Sequence, residues 1–232
     1  SNFPVDFAIR RNNITSQDSP EFVTRLTNAM QYTNKTDAEY SGGTSFLGHF
    51  AYNNGWANTA SVSDPNDYLW MFKRSPGFMD VVTYSGTSSV RTVDHNLGVA
   101  PELLIVKSRS TPSHWAVYNA TSGASKALLL SGTISEWTID YWNNTAPTAT
   151  QFTVGTDGTV NSNGNDYVAY LFATQPGISK VGSYVGNGPN GAQQVDCGFT
   201  NGAAFILVKN ASSSSDWYLL DSERGINAYN ET

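Results

Sequence analysis

Charge is scarce in this chain. Asp, Glu, Lys and Arg together make up 14% of its 232 residues, against about 25% in an ordinary soluble domain. The 13 Lys and Arg are scattered, with no run longer than the pairs Arg10-Arg11 and Lys73-Arg74, and the net charge is −6, so no basic patch to hold phosphate is evident and no nucleic-acid partner is expected. Cysteine is nearly absent: Cys197 stands alone, which rules out an intramolecular disulfide and reads as a small buried apolar residue. The three histidines, His49, His95 and His114, are far apart in sequence and offer neither a metal cluster nor a nucleophile with its base. No apolar run approaches the roughly 18 residues of a membrane helix, and the first residues lack the charged and apolar regions of a signal peptide, so no membrane insertion is expected.

Ser, Thr, Asn and Gly fill the deficit, with 20 glycines, 12 tyrosines and 6 tryptophans. That mixture favours short strands and tight turns over helices. The chain also repeats itself. Pro76, Gly77, Val81, Tyr84 and Gly86 recur 100 positions on as Pro176, Gly177, Val181, Tyr184 and Gly186. The run 103–107 (LLIVK) returns as 205–209 (FILVK), Trp115 returns as Trp217, and Pro4–Arg10 carries the apolar strand a third time. Such internal periodicity decides architecture before any motif does. It predicts residues 1–75 as the back part of unit 1, 76–175 as a complete unit 2 and 176–232 as the front part of unit 3, with both ends reading as cuts through a longer protein.

Within unit 2 the pattern predicts strands over 81–84, 90–93, 102–107, 114–118, 127–130 and 167–173. The Asn-Gly pairs at 54, 163, 187, 190 and 201 accept the positive φ of tight turns. Strands at about ten-residue spacing with such turns predict an all-β fold of tandem, jelly-roll-like β-sandwich units. One segment allows two readings. Ser19-Pro20-Glu21 followed by Phe22, Leu26 and Met30 fits a capped helix, whereas the repeat makes it a strand and its following loop.

Several side chains are candidates for function. Trp56, Trp137 and Trp142 sit in Asn-, Gly- and Thr-rich stretches without counterparts in the other units, which makes them candidate platforms for stacking a sugar ring. Asp157, Asn161, Asn163 and Asp166 lie in one oxygen-rich loop with the donor chemistry for Ca²⁺, although the order and closing Glu of an EF-hand are missing. Asp67 and Asp166 share an Asn-Asp-Tyr context and read as turn residues. His95 beside Asp94 looks like an acid–base pair until unit 3 is aligned, where Cys197 takes its place. Beyond the possible calcium, no cofactor is expected, and no catalytic pair emerges.

The stretches 72–86 (FKRSPGFMDVVTYSG), 95–109 (HNLGVAPELLIVKSR), 167–173 (YVAYLFA) and 180–188 (KVGSYVGNG) together resemble a repeated β-rich domain of virion proteins from tailed, often marine, bacteriophages. That resemblance spans essentially the whole chain. It implies a tail-fibre or other structural protein, located in the virion or outside cells, without known catalytic residues. It also implies self-association, commonly as a homotrimer, and contact with other virion proteins or a host-surface glycan. The family's Asp-Ser-x-Arg-Gly is matched by 221–225 (DSERG), but unit 2 has 119–123 (NATSG) there, which points to a turn. A carbohydrate-binding module and a capsid-decoration or filament subunit are the alternative expectations.

Overall fold

The computed structural model describes residues 3–12, 19–40, 50, 67–188 and 193–223. The chain is all-β and sandwich-like. Unit 1 contributes β1 (Phe7–Asn12), β2 (Glu21–Thr24), β3 (Ala29–Tyr32) and β4 (Asp67–Phe72), hydrogen-bonded in the order β3-β2-β1-β4. Unit 2 contributes β5 (Met79–Ser85), β6 (Arg91–Asp94), β7 (Leu103–Ser108), β8 (Ala116–Asn119), β9 (Lys126–Leu129), β10 (Trp137–Thr138), β11 (Gln151–Val154), the single helical turn α1 (Gly158–Asn161) and β12 (Asp166–Phe172). Its main sheet runs β10-β9-β8-β7-β12-β5, and β11 pairs with β6 in a small second sheet. Unit 3 contributes the hairpin β13 (Phe205–Lys209) and β14 (Trp217–Asp221).

The order β3-β2-β1-β4 of unit 1 reproduces β9-β8-β7-β12 of unit 2, and the registers agree. Ile9 faces Phe22 and Trp70 as Ile105 faces Val117 and Tyr170. In unit 3, Leu207 opposite Leu219 repeats Ile105 opposite Val117. Segment 19–32 therefore forms two strands and a turn. Asn28 takes a positive φ of 51° there, and Phe22 and Met30 enter different cores, so the helical spacing of apolar residues across this segment has no single face behind it.

The main sheet of unit 2 is buried on both faces, which explains its unbroken apolar runs. One face, with Leu104, Val106, Ala116, Tyr118, Tyr167, Ala169 and Leu171, packs under β6, β11 and α1. This is the unit's own sandwich core. The alternate residues Ile105, Val117, Val168 and Tyr170 join Phe7, Ile9 and Phe22 of unit 1, with Phe205, Trp217 and Leu219 of unit 3 packed against them. Phe205 lies 6.0 Å from Trp70 and 5.8 Å from Phe72 between ring centroids, so unit 3 reaches unit 1 as well as unit 2. The three units turn one face of each sheet into a common aromatic core, with edge-on contacts such as Phe7–Phe22 at 4.8 Å of the kind that ring quadrupoles favour.

Close backbone approaches fix the glycines that matter. A Cβ on Gly155 would stand 2.3 Å from the Asp140 carbonyl oxygen, and one on Gly86 would stand 2.1 Å from that of Ser162. The Pro-Gly turns recur in detail: Ser75 N–H donates to Met79 O at 3.0 Å and Gln175 N–H to Ser179 O at 3.1 Å. Gly77 and Gly177 take φ of 78° and 75°, which a side chain would resist.

Candidate functional site: the seam between units

Trp115 precedes β8 and is fully buried. Its indole N–H donates to the Tyr32 carbonyl of unit 1 at 3.0 Å. Beside it, Ser113 N–H donates to Thr36 O at 2.7 Å and Glu39 N–H to Arg109 O at 2.9 Å. The same three bonds join units 2 and 3. Trp217 N–H donates to Leu129 O at 2.8 Å, Ser215 N–H to Thr133 O at 2.8 Å and Glu136 N–H to Ala211 O at 2.9 Å. In every case one partner has advanced 102 positions and the other 97. A contact that recurs in register is a docking geometry built into the repeat, with the indole N–H satisfying a carbonyl that burial would otherwise orphan.

Charge is placed at the seam with the same regularity. Arg109 forms a fork with the Glu39 carboxylate across units 1 and 2, its Nη2 reaching Oε1 at 3.0 Å and its Nε donating to Oε2. Such two-point pairs fix geometry as well as charge. Gln31 Nε2 donates to Ser108 O at 2.9 Å. Lys107 is fully buried and its ammonium donates to the same Ser108 carbonyl at 2.8 Å. Burial pushes its pKa down to about 8, opposed by the carboxylates of Asp37 and Glu39. Lys209 stands at the equivalent place, donating to Asn210 O at 2.8 Å and to Thr133 O at 3.2 Å, and burial lowers its pKa too. A lysine with a lowered pKa has the chemistry of a nucleophile, but Lys107 has no exposed surface for a substrate to reach. It works as a pinned cation.

The candidate residues do not converge. Trp142 is 1% exposed, its N–H donates to Lys126 O at 3.2 Å, and the rings of Tyr118 and Tyr141 meet it edge-on. It is a core residue and offers no face to a sugar, a correction to its assignment as a stacking platform. Trp137 is half-buried on β10 against Tyr141 at 5.9 Å, and Trp56 lies outside the described residues. The oxygen-rich loop is likewise committed to protein contacts. Asp157 caps α1 by accepting from Thr159 N–H at 2.7 Å, and Asp166 accepts from Ser85 Oγ at 2.7 Å. Asn161 is buried, its amide donating to Ser89 O and Gly155 O and accepting from Thr87 N–H. Asn163 is exposed, and its backbone N–H donates to Ser88 Oγ at 2.9 Å. Among the described residues no three His, Cys, Asp or Glu side chains gather as metal ligands, and the side chains of Asp157, Asn161 and Asp166 in this loop all have protein partners.

His95 is buried. Leu97 N–H donates to its Nδ1 at 3.2 Å, which leaves Nε2 to donate to Thr148 O at 3.2 Å. Burial lowers its pKa, and the neutral ring serves as a bracket between two loops. Asn119 and Asp221 each accept an N–H two residues on, from Thr121 at 2.8 Å and Glu223 at 3.0 Å, so the two Asx turns coincide. Sequence spacing gave no hint of one pair: His114 Nδ1 lies 3.2 Å from Ser131 Oγ. That hydroxyl also accepts from Trp115 N–H at 3.3 Å, which places it as the cap of the Trp strand. A shallow depression of ≈ 220 Å³ lies between Pro176-Gly177 and Asp196–Gly198, below the usual volume of ligand sites.

A family model described as a domain of unknown function, DUF7483, matches residues 72–232. It opens on the last residue of β4 and takes in the whole of unit 2. Neither a curated protein nor a solved structure matches the chain.

Proposed function

The chain belongs to the DUF7483 family, a domain of unknown function, and we propose that it is a non-enzymatic structural segment of a bacteriophage virion, a spacer in a tail fibre or similar appendage. The observation that carries this reading is the seam, whose three hydrogen bonds recur in register between units 1–2 and 2–3. A device that reproduces itself along the chain suits a protein selected for extent and rigidity, since stability then accumulates from identical neighbour contacts. The low-charge surface and the resemblance of 72–109 and 167–188 to phage structural repeats support the same reading. Contact with a host surface then falls to the loops that differ between units, with Trp137 the described aromatic nearest to solvent among the candidate platforms. Immunogold labelling of purified particles against this chain tests the proposal. Label along an appendage is the expected result. Particles that lack the protein in both labelling and mass spectrometry sink it.

A further inference from the structure

The turn by which unit 1 passes into unit 2 is held by a histidine. Gly77 N–H donates to Leu97 O at 2.7 Å, and Leu97 N–H donates to Nδ1 of His95 at 3.2 Å. The Nε2 of that ring lies 3.2 Å from Thr148 O, and the His95 backbone N–H donates to Thr150 O at 2.8 Å. One residue thus ties three stretches: the Pro76-Gly77 turn, the loop 95–98 and the residues 148–150 ahead of β11. His95 and Leu97 are both buried, and Leu97 is anchored in the sandwich core. These partners assign the neutral tautomer, with its proton on Nε2 and the Nδ1 lone pair facing a buried amide.

We infer that His95 is an acid-sensitive latch: a second proton on its ring releases the corner that holds the Pro76-Gly77 turn, while the rest of unit 2 stays closed. That proton has one place to go, Nδ1, where it meets the Leu97 N–H head-on. The Leu97 amide then loses its acceptor in a buried place, so the favoured state is one in which the ring reaches water and the corner opens locally. Leu97 O shifts with it and gives up the Gly77 bond. Asp80 on β5 and Asp94 on β6 are the charged groups that act on the ring, and both favour its protonation, but burial outweighs them and keeps it neutral below the ordinary 6.5 of a histidine. Phe152 of β11 faces the ring without charge, 6.5 Å away between centroids. The Asp80 oxygens accept from Val81 N–H at 2.9 Å and Asn96 N–H at 2.8 Å, and Asp94 accepts from Gln151 Nε2 at 2.6 Å, so each carboxylate is already engaged elsewhere. Unit 3 has Cys197 at the equivalent position, so the passage from unit 2 to unit 3 carries no such latch. One junction of the repeat is thereby made to yield to acid.

The test follows residue-resolved hydrogen exchange of the full chain, each rate being referred to that of an unstructured amide at the same pH. A ring that titrates at the ordinary value when open and lower when closed multiplies the opening equilibrium by at most about thirtyfold between about pH 7.5 and about pH 5. Protection of the Leu97, Gly77 and His95 amides is therefore expected to fall by about three- to thirtyfold over that range. The Ser88 amide, which donates to Asn161 O at 2.7 Å elsewhere in unit 2, is expected to keep its protection. In His95→Gln, whose side-chain amide bonds similar partners without titrating, the fall is expected to vanish. Titration of the His95 ring by NMR needs no variant, and its midpoint is expected to coincide with that of the loss of Leu97 protection. Equal losses at Leu97 and Ser88 overturn the inference, since the opening is then global. So does a fall that persists in folded His95→Gln, or a ring that titrates while the Leu97 amide stays protected.

Discussion

Replacing Trp115 by Phe removes one ring and the indole N–H from the first seam while leaving an aromatic in the common core. Two losses follow. The Tyr32 carbonyl, which now accepts the indole N–H at 3.0 Å, is left without that donor in a buried place, at a cost of about 1–3 kcal/mol. The vanished ring atoms give up contacts with Phe22 and Tyr170, whose centroids lie 5.3 and 6.2 Å away, for about 1–2 kcal/mol more. The expected total is about 2–5 kcal/mol, read from urea unfolding at constant m-value, with about 2–4 °C lost from Tm for each kcal/mol in a chain of this length. Trp217→Phe is the internal comparison. Its N–H makes the equivalent bond at 2.8 Å, but the ring is only partly buried, so water replaces the missing donor and the loss falls to about 1 kcal/mol. Hydrogen exchange localises the effect, with Ser113 and Glu39 amides losing protection in the first variant and Ser215 and Glu136 amides in the second. Equal losses in the two variants, or a Trp115→Phe loss below about 0.5 kcal/mol, would refute the view that burial sets the strength of each seam.

Lys107→Met tests the pinned cation by linkage. With a folded pKa of about 8 against an ordinary 10.5, the unfolded chain binds more protons between those values, so wild-type stability rises with pH across that window. The Met variant is expected to lack this rise and to be about 1–2 kcal/mol more stable at pH 7; a pH series of chemical denaturation reads both. His95 has a lowered pKa from burial, so the unfolded chain protonates first as pH falls below about 6.5 and stability drops there; His95→Gln should flatten that acid limb, and an unaltered limb refutes the assignment. Gly155→Ala must displace the Asp140 carbonyl, 2.3 Å from the new Cβ, and is expected to lower Tm, whereas Gly123→Ala, with open space around its Cβ and only the strain of φ 81°, should cost about 1 kcal/mol. Trp142→Ala should destabilise by about 3–5 kcal/mol as a core truncation, and a glycan-array signal lost without such destabilisation would contradict its burial.

Architecture was legible in the sequence because it depends on local rules and on repetition. Alternating and doubly apolar runs, Asn-Gly turns and the 100-residue recurrence point to strands, and the aligned positions remove His95 from catalysis when Cys197 appears in its place. The same comparison matches Asn119 with Asp221, and both prove to be Asx turns. What the sequence could not reveal was which side of each strand a residue faces and what lies opposite. Trp142 sits among Asn and Thr, as a surface aromatic would, yet the fold turns it inward beneath β9, where a carbonyl receives its N–H. The oxygen-rich loop has calcium-like composition, but tertiary contacts assign its donors to α1, Ser85 and Ser89 individually.

Most strands of unit 2, the turns and the repeat are legible in the amino-acid order, because side-chain period and backbone preference act over a few residues; β10, β11 and α1 are not. That three sheets share one aromatic core, and that the same three bonds close two seams, emerges from long-range packing. Those contacts join residues about 70–90 positions apart, where no local preference reaches and only packing selects the partner.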